Sequence, residues 1–107
     1  MDNNPAATSN LSNHVAIITG ASSGIGRAVA LALASAGATV SLAARSRQNL
    51  DILAHDISSR GGRVLTFPTD VGNEAQIEAL VTRTHAECGR LDILVTSAGG
   101  ATFGPIT

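Results

Sequence analysis

Thr19-Gly20-Ala21-Ser22-Ser23-Gly24-Ile25-Gly26 lies between an apolar run, Val15-Ala16-Ile17-Ile18, and a helix-patterned run from Arg27 to Ala36. That placement suits the binding of a phosphate. Gly20 allows a tight exit from a strand, Gly24 lets a backbone approach a ligand that a side chain would block, and Gly26 lets the helix pack close to the sheet. A helix opening there offers N–H groups and the positive end of its dipole, both complementary to a pyrophosphate. Ser22 and Ser23 add hydroxyls for the same phosphates, and no His–Asp partnership is visible that would make either a nucleophile. A glycine cluster alone is weak evidence, but between strand and helix, at the head of repeated βα units, it is specific.

Several ligand classes use such loops. A nucleotide triphosphatase needs a Gly-Lys-Ser/Thr ending, which this chain lacks. A site for S-adenosylmethionine usually has a carboxylate at the end of the second strand. A dinucleotide site has that carboxylate for NAD, or a nearby basic residue for NADP. Here the second strand ends in Ala43-Ala44-Arg45-Ser46-Arg47, with Ala44 at the carboxylate position. A guanidinium can fork onto a 2′-phosphate, with charge-assisted bonds worth roughly 1.5–3 kcal/mol each. The expectation is therefore NADP(H) in preference to NAD(H), resting on Arg45, with Arg47 a weaker second candidate. The plain alternative for both is a solvated loop charge.

The elements that must position these residues alternate throughout. Val15–Thr19 reads as a parallel strand buried on both faces. In the helix that follows, Ile25, Ala28, Val29, Ala32, Leu33 and Ala36 fall on one stripe, with Gly37 as its stop. Thr39–Ala44 is the second strand, and Ser46 caps a helix whose Leu50, Leu53, Ala54 and Ile57 share a face, ending near Gly61-Gly62. Val64–Phe67 is a short third strand closed by Pro68. Asn73 caps the next helix with Gln76 in the capping-box position; Ile77, Leu80, Val81, Thr84 and Cys88 form its buried stripe and Gly89 ends it. Ile93–Thr96 is the fourth strand. Right-handed crossovers then predict an α/β, Rossmann-type doubly wound parallel sheet of order 3-2-1-4, truncated after the fourth strand. The first two helices cover one face and the third covers the other, leaving the fourth strand as an apolar edge that invites association.

These residues resemble the short-chain dehydrogenase/reductase family. Thr19 to Gly26 is similar to its Thr-Gly-x-x-x-Gly-x-Gly cofactor motif, Asp70-Val71 to its adenine-contacting pair, and Leu91-Asp92-Ile93-Leu94-Val95 with Ser97-Ala98-Gly99 to its fourth-strand segment. The likeness covers residues 14 to about 105 in order and spacing. It implies that Gly20, Ser22, Ser23, Gly24, Ile25 and Gly26 hold the cofactor phosphates, with Arg45 beside them. It further implies that Asp70 accepts from the adenine amino group, that Val71 lies along the ring, and that Ala98 and Gly99 form the floor under the ribose and phosphates. Plain alternatives are a turn residue at Asp70 and a strand exit at Ala98-Gly99.

The chain departs from that pattern in three places. Thr96-Ser97-Ala98-Gly99 stands where the family has Asn-Asn-Ala-Gly, and the shorter hydroxyls cannot bridge like a carboxamide. Ser23 also replaces the basic loop residue of many NADP-preferring members, so Arg45 carries more of the preference. The family's Ser and Tyr-x-x-x-Lys pair are not found: there is no Tyr, and all 7 basic residues are Arg. The expectation is the cofactor-binding half of an oxidoreductase that moves hydride between a nicotinamide and a carbonyl or secondary alcohol, inactive by itself. The other reading is a non-catalytic dinucleotide-binding or interaction module ending at residue 107.

Bulk properties agree. The 107 residues support one domain, read as a tail over 1–13 and a partial dinucleotide-binding domain over 14–107. A hydrophobic share of 44% with 14% charged residues is ordinary for a sheet-rich α/β protein. A net charge of -1 gives no footprint for nucleic acid, and no apolar run reaches membrane-spanning length. Cys88 alone cannot form an internal disulfide, which fits a reducing cytoplasmic setting. His14, His55 and His85 are too dispersed for a metal site, so no metal is expected. The resemblance adds a homo-oligomer for the full-length form and leaves the small-molecule substrate unknown.

Overall fold

The computed structural model describes residues 11–22, 24–96 and 100–103. The elements are β1 (Val15–Thr19), α1 (Gly24–Ser35), β2 (Thr39–Ala44), α2 (Arg47–Ser59), β3 (Arg63–Pro68), α3 (Glu74–Cys88), β4 (Ile93–Thr96) and β5 (Gly100–Phe103). The sheet runs β3-β2-β1-β4-β5. Its first four strands are parallel, with Ala16 opposite both Val40 and Ile93. This is the expected 3-2-1-4 doubly wound order.

The edge is a correction. The sheet is not truncated after β4: residues 100–103 turn back and pair antiparallel with it, Ile93 against Phe103 and Thr96 against Gly100. The apolar backbone edge of β4 is therefore covered, because a nearby extended segment satisfies its N–H and C=O groups at little loop cost. The expected tail is also tied down at its near end. Residues 11–13 form a turn, and the Leu11 N–H donates to the Ala36 carbonyl at 3.1 Å.

Every residue of β1 is buried, as a central parallel strand requires, and alternate side chains feed two cores. Ala16 and Ile18 join Leu42, Leu50, Leu53 and Ile57 under α1 and α2, whereas Val15 and Ile17 join Leu80 and Leu91 under α3. On the α3 side the hydroxyls of Ser41 and Thr84, both fully buried, meet at 2.8 Å. The caps form as expected, Ser46 accepting from Asn49 N–H and Asn73 from Gln76 N–H.

The α1 stripe is a second correction. Val29 and Leu33 pack against the core as expected, but Ile25 is 70% exposed, Ala28 and Ala32 face outward, and the fully buried residues are Gly26 and Ala30. With small apolar residues on every side of this helix, periodicity alone left its rotation open; the smallest pair, four apart, faces the sheet.

Opposite the glycine loop, Asp92 straps β4 to β1. Its N–H donates to the Val15 carbonyl at 2.9 Å, and its Oδ2 accepts the Val15 N–H at 2.9 Å. Arg90 grips the same carboxylate through Nε at 2.8 Å and Nη2 at 2.7 Å. The Arg90 bonds, helped by the Val15 N–H and against the cost of burial, hold the Asp92 carboxyl below the usual carboxylate range. A group depressed in the folded state stabilises above its unfolded pKa and loses that contribution as pH falls through the folded one. Urea midpoints should therefore drop on acidification below the unfolded value of 3.8, and the drop should shrink in Asp92→Asn. Asp92→Ala, which orphans the Val15 N–H, should cost about 1–3 kcal/mol at neutral pH.

Candidate functional site

Three strand ends converge at the C-terminal edge of the sheet, where open α/β folds bind ligands. Thr19 ends β1 almost fully buried, its hydroxyl donating to the Val95 carbonyl at 3.4 Å and so bracing β1 to β4. Gly20 then turns the chain at φ 64, a left-handed conformation that side chains disfavour. Ala21 is buried, and its N–H donates to the Ala43 carbonyl at 3.2 Å, tying the loop to the end of β2.

Gly26 packs directly on this turn. A Cβ there would sit 2.9 Å from the Gly20 carbonyl carbon and closer still to its oxygen. The close approach anticipated for Gly26 is thus made to the turn leaving β1, and α1 starts at Gly24, ahead of the expected Arg27. Gly24 differs: a Cβ there would meet nothing within 4 Å. Internal packing does not require a glycine at that position, which leaves its surface open to a ligand. Ser22 is exposed beside it.

Between the strand ends lies a cleft of about 310 Å³. Thr19, Gly20 and Ser22 line it from β1, Ala44 and Arg45 from β2, and Thr69 and Val71 from β3. Thr69 is buried at the floor, its N–H donating to the Ala44 carbonyl at 2.8 Å and its hydroxyl to the Phe67 carbonyl at 2.7 Å. Val71 is 53% exposed, an apolar side chain held at the rim. Arg45 is 82% exposed and reaches Asp70, Nη2 to Oδ1, at 3.7 Å. No acidic residue occupies the first turn of α1, so nothing there opposes an anion.

Asp70 is held firmly. Its N–H donates to Gln76 Oε1 at 2.7 Å, its carbonyl accepts the Asn73 N–H at 3.0 Å, and its Oδ1 accepts the Gly72 N–H at 2.9 Å. Gln76 therefore reaches past the cap residue expected to receive it and clamps the turn after β3. Sequence reasoning missed this role, although Gln76 was noticed for its distance from Asn73. Thr69 and Ala44 were also missed as lining residues; only the pairing of β2 with β3 brings them together. Arg47 opens α2 and lies outside the cleft lining. Ser23, Ala98 and Gly99 lie outside the described residues.

A larger cavity of about 530 Å³ lies at the opposite edge, bounded by His14, Arg63, Cys88 and Arg90. Size does not make it the better site: it sits at the N-terminal ends of the strands, away from every helix N-terminus following a strand. The Cys88 thiol there is pushed up by burial, and further by Glu87, which disfavours the thiolate form. No cluster of metal-binding side chains occurs among the described residues, and no helix among them is long and apolar enough to cross a membrane.

The comparisons with known proteins are consistent with this geometry. The family model described as short chain dehydrogenase matches residues 14–107. A short chain dehydrogenase of Pseudocercospora fijiensis is 43% identical over 96 residues, covering 90% of this chain and 31% of that protein. A glycine betaine reductase of Emericella nidulans is 51% identical over 89 residues, covering 83% of this chain and 7% of that protein. Among solved structures, a metagenomic short-chain oxidoreductase in complex with NADP superposes with TM-score 0.78 at 41% identity, covering 81% of this chain and 39% of that one. The chain thus spans well under half the length of each.

Gly26→Ala and Gly24→Ala should separate packing from openness. The first forces a methyl onto a backbone carbonyl that cannot rotate away, and should lower stability by about 1–3 kcal/mol. The second should stay within about 1 kcal/mol of the parent protein, because the space is open. Urea titration followed by far-ultraviolet circular dichroism reads both.

Proposed function

The chain belongs to the short-chain dehydrogenase family, and on that premise we propose that it forms the cofactor-binding part of an NADP(H)-dependent oxidoreductase acting on a carbonyl or secondary alcohol. The observation that carries this reading is the cleft at three strand ends, with open Gly24 at the head of α1 and Arg45 at its rim. These features fit a dinucleotide. When bound, the cofactor supplies hydride exchange at its nicotinamide ring.

The chain's own residues bind and orient. The first turn of α1 and Ser22 hold the pyrophosphate, and the open surface of Gly24 admits it without steric conflict. Arg45 takes the 2′-phosphate, for which its exposed guanidinium is suited. Asp70 accepts from the adenine amino group and Val71 covers the ring from the rim. Ser23, Ala98 and Gly99 complete the set by family likeness. With neither Tyr nor Lys among the 107 residues, proton transfer to the substrate by such a pair needs residues outside this sequence. The single cysteine supports a reducing, cytoplasmic setting.

NADPH and NADH can be titrated by their own fluorescence, which the chain does not obscure, having no Trp or Tyr. NADPH should bind more tightly. Arg45→Ala should reduce that preference about fivefold to tenfold, less than a buried Arg–phosphate pair would give because Arg45 is solvated. An unchanged ratio would remove Arg45 as the determinant. Gly24→Val should weaken both nucleotides alike, since it crowds the shared pyrophosphate.

A further inference from the structure

We propose that Asp70 sets how strongly Arg45 favours a 2′-phosphorylated nucleotide, because it pairs with the same guanidinium that the phosphate must capture. The inference rests on the nucleotide reading above and deepens it. Arg45 Nη2 and Asp70 Oδ1 lie 3.7 Å apart across the ends of β2 and β3, beside the cleft.

The partners are unequal. Gln76 and Asn73 anchor the backbone of Asp70 and the Gly72 N–H holds its carboxylate, so that charge stays close to where the turn puts it. Arg45, 82% exposed, is the partner free to move. A nucleotide with a 2′-hydroxyl leaves the Arg45–Asp70 pair standing. A 2′-phosphate must draw the guanidinium away or share it, and then lies near a fixed negative charge. Asp70 thus competes for Arg45 and repels the dianion, and both effects oppose the phosphorylated ligand alone. Any contact Asp70 makes with adenine is common to both ligands and cancels in their ratio.

At the surface a single charge acts through high dielectric and salt, so the effect is moderate, about threefold to fivefold in relative affinity. Asp70→Asn keeps the size and the acceptor for the Gly72 N–H while removing the charge; Asp70→Ser also removes the charge and keeps an acceptor oxygen on a shorter side chain.

The test is calorimetric titration of the full 107-residue chain with adenosine 2′,5′-bisphosphate and with 5′-AMP. It compares the parent protein, Asp70→Asn, Asp70→Ser, Arg45→Ala and the Arg45→Ala/Asp70→Asn double variant. The expected result is a preference for the bisphosphate that rises about threefold to fivefold in both Asp70 variants, and clearly less when Arg45 is already absent. A ratio that stays the same or falls in both Asp70 variants, while Arg45→Ala still lowers it, overturns the proposal and leaves the nucleotide reading intact. A ratio untouched by Arg45→Ala removes Arg45 as the determinant and this proposal with it, and no binding of either ligand overturns the nucleotide reading as well.

Discussion

The contact of Gly26 with the Gly20 carbonyl is the constraint on which the rest of the structure depends. One peptide lies against another at a distance no side chain would permit. It decides where α1 begins, how close the helix stands to β1, and which way it is rotated. With Gly26 pressed inward, Ala30 follows one turn later into the core, and Ile25 is turned out to solvent. The same contact holds the loop low against the sheet edge, which keeps Gly24 uncovered and the cleft open between β1, β2 and β3.

Much of this arrangement was legible in the chain. Strands β1 and β2 announced themselves as short apolar runs. Helices α2 and α3 were bounded by Ser46 and Asn73 at one end and by glycines at the other. Those signals are local, and the caps form with the residues that suggested them. What failed was rotational and long-range. The phase of α1 was illegible because alanine and leucine alternate around the helix, and only the tertiary contact of Gly26 settles it. Strand β5 was unreadable because Gly100-Ala101-Thr102-Phe103 is a short segment with little pattern, taking its order from the open edge of β4.

The site divides along the same line. The loop glycines and Arg45 could be picked out because each lies just beyond a strand whose end was visible. Asp70 stood out through the family resemblance, but nothing in the sequence said that Arg45 would reach it across two strand ends, or that Gln76 would fix its backbone. These are contacts between residues brought together by strand pairing, and residue type alone does not report them. Thr69 makes the point plainly: an unremarked hydroxyl in sequence, it becomes the buried floor of the cleft once β2 and β3 are side by side.

The hydroxyls of Ser41 and Thr84 have a different consequence. Apolar surfaces tolerate sliding, since one buried methyl substitutes for another at modest cost. A hydroxyl buried without a partner does not, and each of these two is satisfied by the other. Moving β2 by one residue would turn Ser41 toward the opposite core and leave Thr84 of α3 without its partner. The pair therefore acts as a key more than as glue. It contributes little to how tightly α3 is held, and a good deal to there being one place where it fits.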